Sequence, residues 1–124
     1  MPSRDFKRID RINAELRREL GQLVHAAVRD HGLPSVSVCD VEATRDLDVA
    51  TVWATTLDPD DGGHAVAALN DMAREFRREL SRRMRLRRVP ELRFKYDDSV
   101  DKGERIETLL REERLKDEGR GTGD

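Results

Sequence analysis

The sequence predicts a two-layer α+β domain. Three observations carry this: a stripe of apolar residues at helical spacing near the chain start, three short segments whose apolar residues alternate, and a second helical stripe ahead of the last of those segments. Both helical segments can lie on one face of a small three-stranded sheet, leaving its other face less fully covered.

Phe6, Ile9, Ile12, Leu16, Leu20, Leu23, Val24, Ala27 and Val28 recur at three- and four-residue steps, the pattern of one long amphipathic helix. Asp30-His31-Gly32-Leu33-Pro34 supplies its stop, because Gly accepts a left-handed cap and Pro cannot continue the ladder. Residues 35–44 alternate around Val36 and Val38 and change phase at Cys39, Val41 and Ala43, which predicts a strand with a bulge. After a short polar connection, Val49 to Leu57 alternate as a second strand, antiparallel to the first because the link is too short for a crossover. Asp58-Pro59-Asp60-Asp61-Gly62-Gly63 ends it, with Asp60 or Asp61 placed to cap the next helix.

Val66, Leu69, Met72, Ala73, Phe76, Leu80 and Met84 keep helical spacing across residues 64–86, as one helix or as two joined by a kink. Val89-Pro90 turns the backbone toward extended, and Leu92, Phe94 and Tyr96 alternate with Glu91, Arg93 and Lys95 as a third strand. Ile106, Leu109 and Leu110 predict a short docked helix over residues 104–111. Residues 116–124 are too polar and glycine-rich to pack, so the reading is one domain over 1–115 and a disordered tail over 116–124.

A chain of 124 residues, 36% hydrophobic, can bury one modest core. It has no apolar run long enough for a membrane span and no signal-peptide pattern at its start, so a cytoplasmic protein with no membrane partner is expected. The single cysteine, Cys39, has no partner for an internal disulfide or a thiolate metal site and reads as a small buried residue.

Charge nearly cancels overall, at a formal -2, but it is unevenly placed. Residues 74–88 carry eight arginines against two glutamates, between an acidic turn region at 40–61 and an acidic C-terminal region. Of the basic residues twenty are Arg and four are Lys, which favours the side chain whose planar fork grips phosphate oxygens in pairs. On a helix, Arg74, Arg77, Arg78, Arg82 and Arg85 form one ridge while Phe76, Leu80 and Met84 face the core. Arg83 adds to this cluster, and Arg87 and Arg88 extend it toward the third strand. Lys7, Arg8 and Arg11 join it if the first helix packs alongside.

The competing reading is a solvated face laced with weak ion pairs from Glu75 and Glu79, but two carboxylates cannot satisfy eight guanidiniums. The aromatic residues Phe6, Trp53, Phe76, Phe94 and Tyr96 all fall at apolar-face positions. Base stacking is then a small term beside phosphate contact and recognition of RNA shape.

Chemistry has little support. The three histidines have no metal-ligand spacing, Asp97-Asp98 and Asp58-Asp60-Asp61 suit turns, and neither a phosphate-binding Gly-rich loop nor a Gly-x-Ser-x-Gly elbow occurs. No catalytic residue, metal site or cofactor is expected, and the protein reads as a non-enzyme.

The run Arg85-Leu86-Arg87-Arg88-Val89-Pro90-Glu91-Leu92-Arg93-Phe94-Lys95-Tyr96-Asp97-Asp98-Ser99 resembles the signature of the ribosome-binding factor A family. Asp46-Leu47-Asp48-Val49-Ala50-Thr51-Val52-Trp53 and Arg8-Ile9-Asp10-Arg11-Ile12-Asn13 support it, over about residues 4–112. The resemblance implies a type II KH-like fold and binding of the free small (30S) ribosomal subunit through its rRNA. It also implies a part in late maturation of 16S rRNA, including its 5′ region, and importance in the cold.

The family typically kinks its central helices at an Ala-x-Gly; here the triplet reads Met72-Ala73-Arg74, without glycine. Binding by main chain at the kink is put in doubt; binding by side chains is not. The combined expectation is a monomeric assembly factor acting by occupancy, with Arg74, Arg77, Arg78, Arg82, Arg83, Arg85, Arg87, Arg88, Lys7, Arg8 and Arg11 on the rRNA. A module binding an acidic protein and a generic KH-like RNA binder are the alternatives.

Overall fold

A computed structural model describes residues 4–98, with side chains from Lys7 onward; the expected helix over 104–111 and the tail over 116–124 lie outside the described residues. The elements run α1 (Arg4–His31), β1 (Val36–Ala43), β2 (Val49–Thr56), a 3-10 turn (Pro59–Asp61), α2 (Gly62–Asp71), α3 (Ala73–Arg83) and β3 (Glu91–Tyr96). This is the α+β, type II KH-like order that the sequence and its family resemblance lead to.

Helix α1 ends as its sequence dictates. Gly32 takes a φ of 64°, and the Leu33 amide donates back to the Val28 carbonyl at 3.3 Å, the six-to-one bond of a Schellman cap. Ile12, Leu16, Leu20, Val24 and Ala27 form its buried stripe.

The sheet order is β1-β2-β3, with β1 antiparallel and β3 parallel to β2. A parallel pair needs a crossover, which α2 and α3 provide. The phase change in β1 is a register shift between Val38 and Asp40, so that Val36 and Val41 both reach the core across it. Cys39 sits at that shift half-buried instead of inside the core.

Strand β2 forms where expected and antiparallel to β1, but Trp53 is not on its buried face. Ala50, Val52, Ala54 and Thr56 face the helices and are buried, whereas Trp53 lies half-buried on the other sheet face. Small side chains on the helix-facing side let the helices approach closely, and the larger indole is left on the open side. There Lys95 Nζ lies 6.0 Å from the ring centroid, and indole Nε1 donates to Glu42 at 3.4 Å.

The central helical segment does break. It starts at Gly62, earlier than expected, and its N-cap residue Asp61 makes no side-chain cap bond; the preceding 3-10 turn is the one capped, by Asp58, which accepts from the Asp60 amide at 3.0 Å. Helices α2 and α3 meet at Met72, whose φ and ψ of -96° and 4° interrupt the helix without glycine. Its amide still reaches the Ala68 and Leu69 carbonyls, and its own carbonyl accepts from Phe76, so the bend leaves these backbone groups satisfied. Leu69, Phe76, Leu80 and Met84 pack against Leu92 and Phe94 of β3 in one core.

Candidate nucleic-acid interface

Helix α3 carries the arginines because its buried positions are few and evenly spaced. With Phe76 and Leu80 fixed inward, Arg74, Arg77 and Arg78 project outward. The helix ends at Arg83, since Met84 is extended (φ -116°, ψ 145°), so Arg85 leaves the helical ridge on which the sequence placed it. Arg85, Arg87 and Arg88 stand instead on the connection into β3, all exposed. Burial of Met84 and Pro90 pins this connection near both ends.

Helix and connection together enclose an open groove of about 580 Å³ lined by Arg74, Arg77, Arg78, Ser81, Leu86, Arg87, Arg88 and Val89. No carboxylate of the described residues lines it. Two of its arginines are also structural: Arg77 Nε donates to the Val89 carbonyl at 3.0 Å, tying α3 to the connection, and Arg88 pairs with Asp48 of the β1–β2 loop. The Asp48 carbonyl accepts from the Glu91 amide at 2.9 Å, so the same residue holds the start of β3. Arg74, Arg78 and Arg87 form no ion pair with any carboxylate among the described residues, nor does Arg85 beside the groove.

Arg82 and Arg83 belong to a different setting. They occupy the last turn of α3, where a cation meets the negative end of the helix dipole. Arg82 pairs with Glu79 at 3.3 Å, and Arg83 reaches Glu19 of α1 at 3.2 Å and Glu79 at 3.7 Å. For these two, the ion-pair reading weighed from the sequence is what the structure has, with one acid coming from α1.

Lys7, Arg8 and Arg11 are exposed, and none lines the groove. Helix α3 runs against the middle and C-terminal half of α1, with Arg83 at Glu19 and Gln22 and the α3 start beside Asp30 and His31. At about 1.5 Å per residue, Arg11 lies about 12 Å and Lys7 about 18 Å along α1 beyond Glu19.

The structural roles of Asp48 and of the Val89 carbonyl were missed by sequence reasoning, because their partners are remote in the chain and periodicity carries no trace of them. His25, His31 and His64 are all exposed, and no group of three or more metal-ligating side chains is present among the described residues. No described helix is long and apolar enough to cross a membrane.

Aromatic platforms are scarce. Phe76 and Phe94 are buried against one another with centroids 5.7 Å apart, and Trp53 and Tyr96 are half-buried. The groove can grip phosphates with guanidinium forks over a floor of Leu86 and Val89; it offers no ring on which a base could stack.

Comparison with known proteins gives the same family as the sequence motifs. The family model described as "Ribosome-binding factor A" matches residues 8–110. The chain is 57% identical over 112 residues to ribosome-binding factor A of Xanthomonas euvesicatoria pv. vesicatoria, covering 90% of this chain and 86% of that one. It is equally similar to its counterpart from Xylella fastidiosa, with 90% of each chain covered.

Among solved structures, ribosome-binding factor A from Thermus thermophilus superposes with a TM-score of 0.62 at 28% identity, over 71% of this chain and 93% of that one. A homology model of the Thermus thermophilus factor, fitted into a cryo-electron-microscopy map of a 30S complex, matches with a TM-score of 0.59 at 28% identity over the same shares. Matched by the family model over residues 8–110 and by relatives 57% identical over 90% of its length, the chain belongs to the ribosome-binding factor A family.

Proposed function

We propose that this protein is a non-catalytic assembly factor that binds the free small ribosomal subunit through rRNA and promotes late maturation of 16S rRNA. The observation that carries the reading is the carboxylate-free groove of Arg74, Arg77, Arg78, Arg87 and Arg88. Arg74, Arg78 and Arg87 supply unpaired forks to phosphate oxygens, while Arg77 and Arg88 contribute charge and hold the walls.

Folded RNA suits such a site better than a stacked single strand, because the grip is on backbone and shape. The family membership and the 30S complex of the Thermus thermophilus homologue support the partner. The factor acts by occupancy in the cytoplasm as a monomer, holding rRNA near the decoding region in an immature arrangement and leaving when the subunit is competent. Importance in the cold follows from the same role. The binding unit extends over residues 1–115, with the tail at 116–124 outside it.

The test is sedimentation of a tagged copy from growing cells, with probing of 16S rRNA ends after depletion. Co-migration with free small subunits and accumulation of 5′-extended precursor, worse in the cold, is expected. Recovery only in ribosome-free fractions, or equal occupancy of mature whole ribosomes, contradicts the proposal.

A further inference from the structure

A second cationic surface runs along α1, away from the groove just described. Lys7, Arg11, Arg18, His25 and Arg29 follow one another at steps of four and seven residues, which places them in one line on the helix side opposite the buried Leu16, Leu20 and Val24. The line is about 33 Å long. Beside it lies an open groove of about 550 Å³ lined by Arg17, Arg18, Gly21, Gln22, His25 and Arg29 together with the apolar Ala26 and Val38, with no carboxylate among the described residues that line it.

Two neighbouring acids pair with this line. Arg18 contacts Glu19, a half-buried carboxylate that also holds Arg83, at 3.4 Å, and Arg29 contacts Asp30 at 3.2 Å as an exposed adjacent-residue pair of the kind that contributes little and yields to a better anion.

Gly21 is the second, independent observation. It sits in the interior of a 28-residue helix, where glycine is among the least favourable residues, and a Cβ there would meet nothing within 4 Å. No internal contact requires its smallness. A missing side chain amid arginines on an outer helix face lets a partner's backbone come close.

The two arginine surfaces are not continuous. Between them the groove of α1 and α3 is lined by Asp30, Glu75 and Glu79 together with His31, Arg78 and Arg82, and its acids are largely paired, Glu79 with Arg82 and Arg83 and Glu19 with Arg83.

The geometry points to α1 as a second docking surface for RNA backbone phosphates, so that the protein grips two RNA segments at once, one on each side of a seam of paired charges. This deepens the rRNA-binding reading and rests on it for the biological partner. The row of Lys7, Arg11, Arg18 and Arg29, spread over about 33 Å, matches the repeating charge of a phosphate chain, and the competition described below separates this partner from an acidic peptide seated on Ala26 and Val38.

A short RNA duplex of about twelve base pairs, titrated at low salt against the full chain, tests this independently of the ribosome. Native mass spectrometry is expected to record two duplexes per protein. R18E/R29E should remove one and R74E/R78E the other. G21Q should raise the melting temperature by about 4 °C, as a better helix former, yet weaken the α1-side duplex about tenfold.

A single duplex on the wild-type chain overturns the proposal, as does an unchanged stoichiometry in R18E/R29E. So does displacement of the α1-side duplex by poly-glutamate at equal charge concentration, which would make the partner an acidic protein. Failure to bind small subunits with two duplexes still bound would instead remove only the ribosomal reading.

Discussion

The side-chain amide of Asn70 on α2 pairs with both backbone groups of Phe94 on β3: Nδ2 donates to the Phe94 carbonyl at 3.0 Å, and Oδ1 accepts from the Phe94 amide at 2.8 Å. Because β3 is an edge strand, these are the groups that would otherwise be open to pairing with another chain. Asn13 of α1 does the same at the opposite edge, accepting from the Ala43 amide of β1 at 2.9 Å. Helices α1 and α2 thus each satisfy backbone groups at one edge of the sheet, and the Asn70 contact fixes α2 over the strand into which the arginine-bearing connection runs.

Replacing Asn70 by Ala is expected to destabilise the domain by about 1–3 kcal/mol, since two partly buried backbone groups lose their partner. The urea midpoint should fall with an unchanged slope. An unchanged midpoint contradicts the role given to this contact.

Gly62 has a packing reason that its turn-like neighbourhood hides. A Cβ there would lie 2.6 Å from the ring of Tyr96, whose hydroxyl is 3.4 Å from Thr56 Oγ1. Gly62→Ala should cost about 1–3 kcal/mol through overpacking, and Tyr96→Leu should recover much of that in the double variant. Additive losses would place the effect in the backbone instead.

Arg77 and Arg78 are adjacent in sequence and differ in task. Arg78→Ala should weaken RNA binding and leave the melting temperature within about 1 °C, as expected for an exposed side chain with no internal ion pair. Arg77→Ala also removes the bond to the Val89 carbonyl and should lower both binding and stability, the latter by about 1 kcal/mol. Equal behaviour of the two variants, by thermal melt and by RNA titration, counts against the division. By contrast Leu80→Ala, at a fully buried position, should cost about 2–5 kcal/mol.

The β1–β2 loop carries an acid-sensitive element. The Thr44 hydroxyl and then the Asp48 amide donate to the Asp46 carboxylate and hold its pKa below that of an ordinary aspartate. A lowered folded-state pKa means that the stabilisation is present above the unfolded value and is lost as pH falls through the folded one. Asp46→Ala should therefore lower stability at neutral pH and flatten its decline below about pH 4. A parallel shift of the whole acid limb would contradict this.

How far the sequence foretold these features depends on whether their cause was local. The α1 stripe, its Gly32 cap, the phase change in β1 and the alternation of Leu92, Phe94 and Tyr96 are properties of neighbouring residues, and all were legible. Strand β2 and its antiparallel pairing were legible too, but not its buried face, because Ala50, Val52 and Ala54 alternate with Val49, Thr51 and Trp53 and hydrophobicity alone ranks both faces alike. What decides is room beneath the helices, and that puts Trp53 outside.

Arg85 continued the helical spacing on paper but lies past the point where burial of Met84 turns the chain. The sorting of the arginines was equally hidden: Arg83 is met by Glu19, and Arg88 by Asp48, across long stretches of sequence. Density of arginine was visible, whereas which guanidiniums keep their forks unpaired is set by the packing of α1 and of the β1–β2 loop.

The most direct test is equilibrium binding to purified small subunits across a salt series, comparing the wild-type chain with R74E/R78E/R87E. With about five phosphates gripped, log K should fall against log salt with a slope of roughly -3 to -5. The variant should retain its melting temperature while losing most of its affinity. Wild-type affinity and slope in the variant would contradict the account.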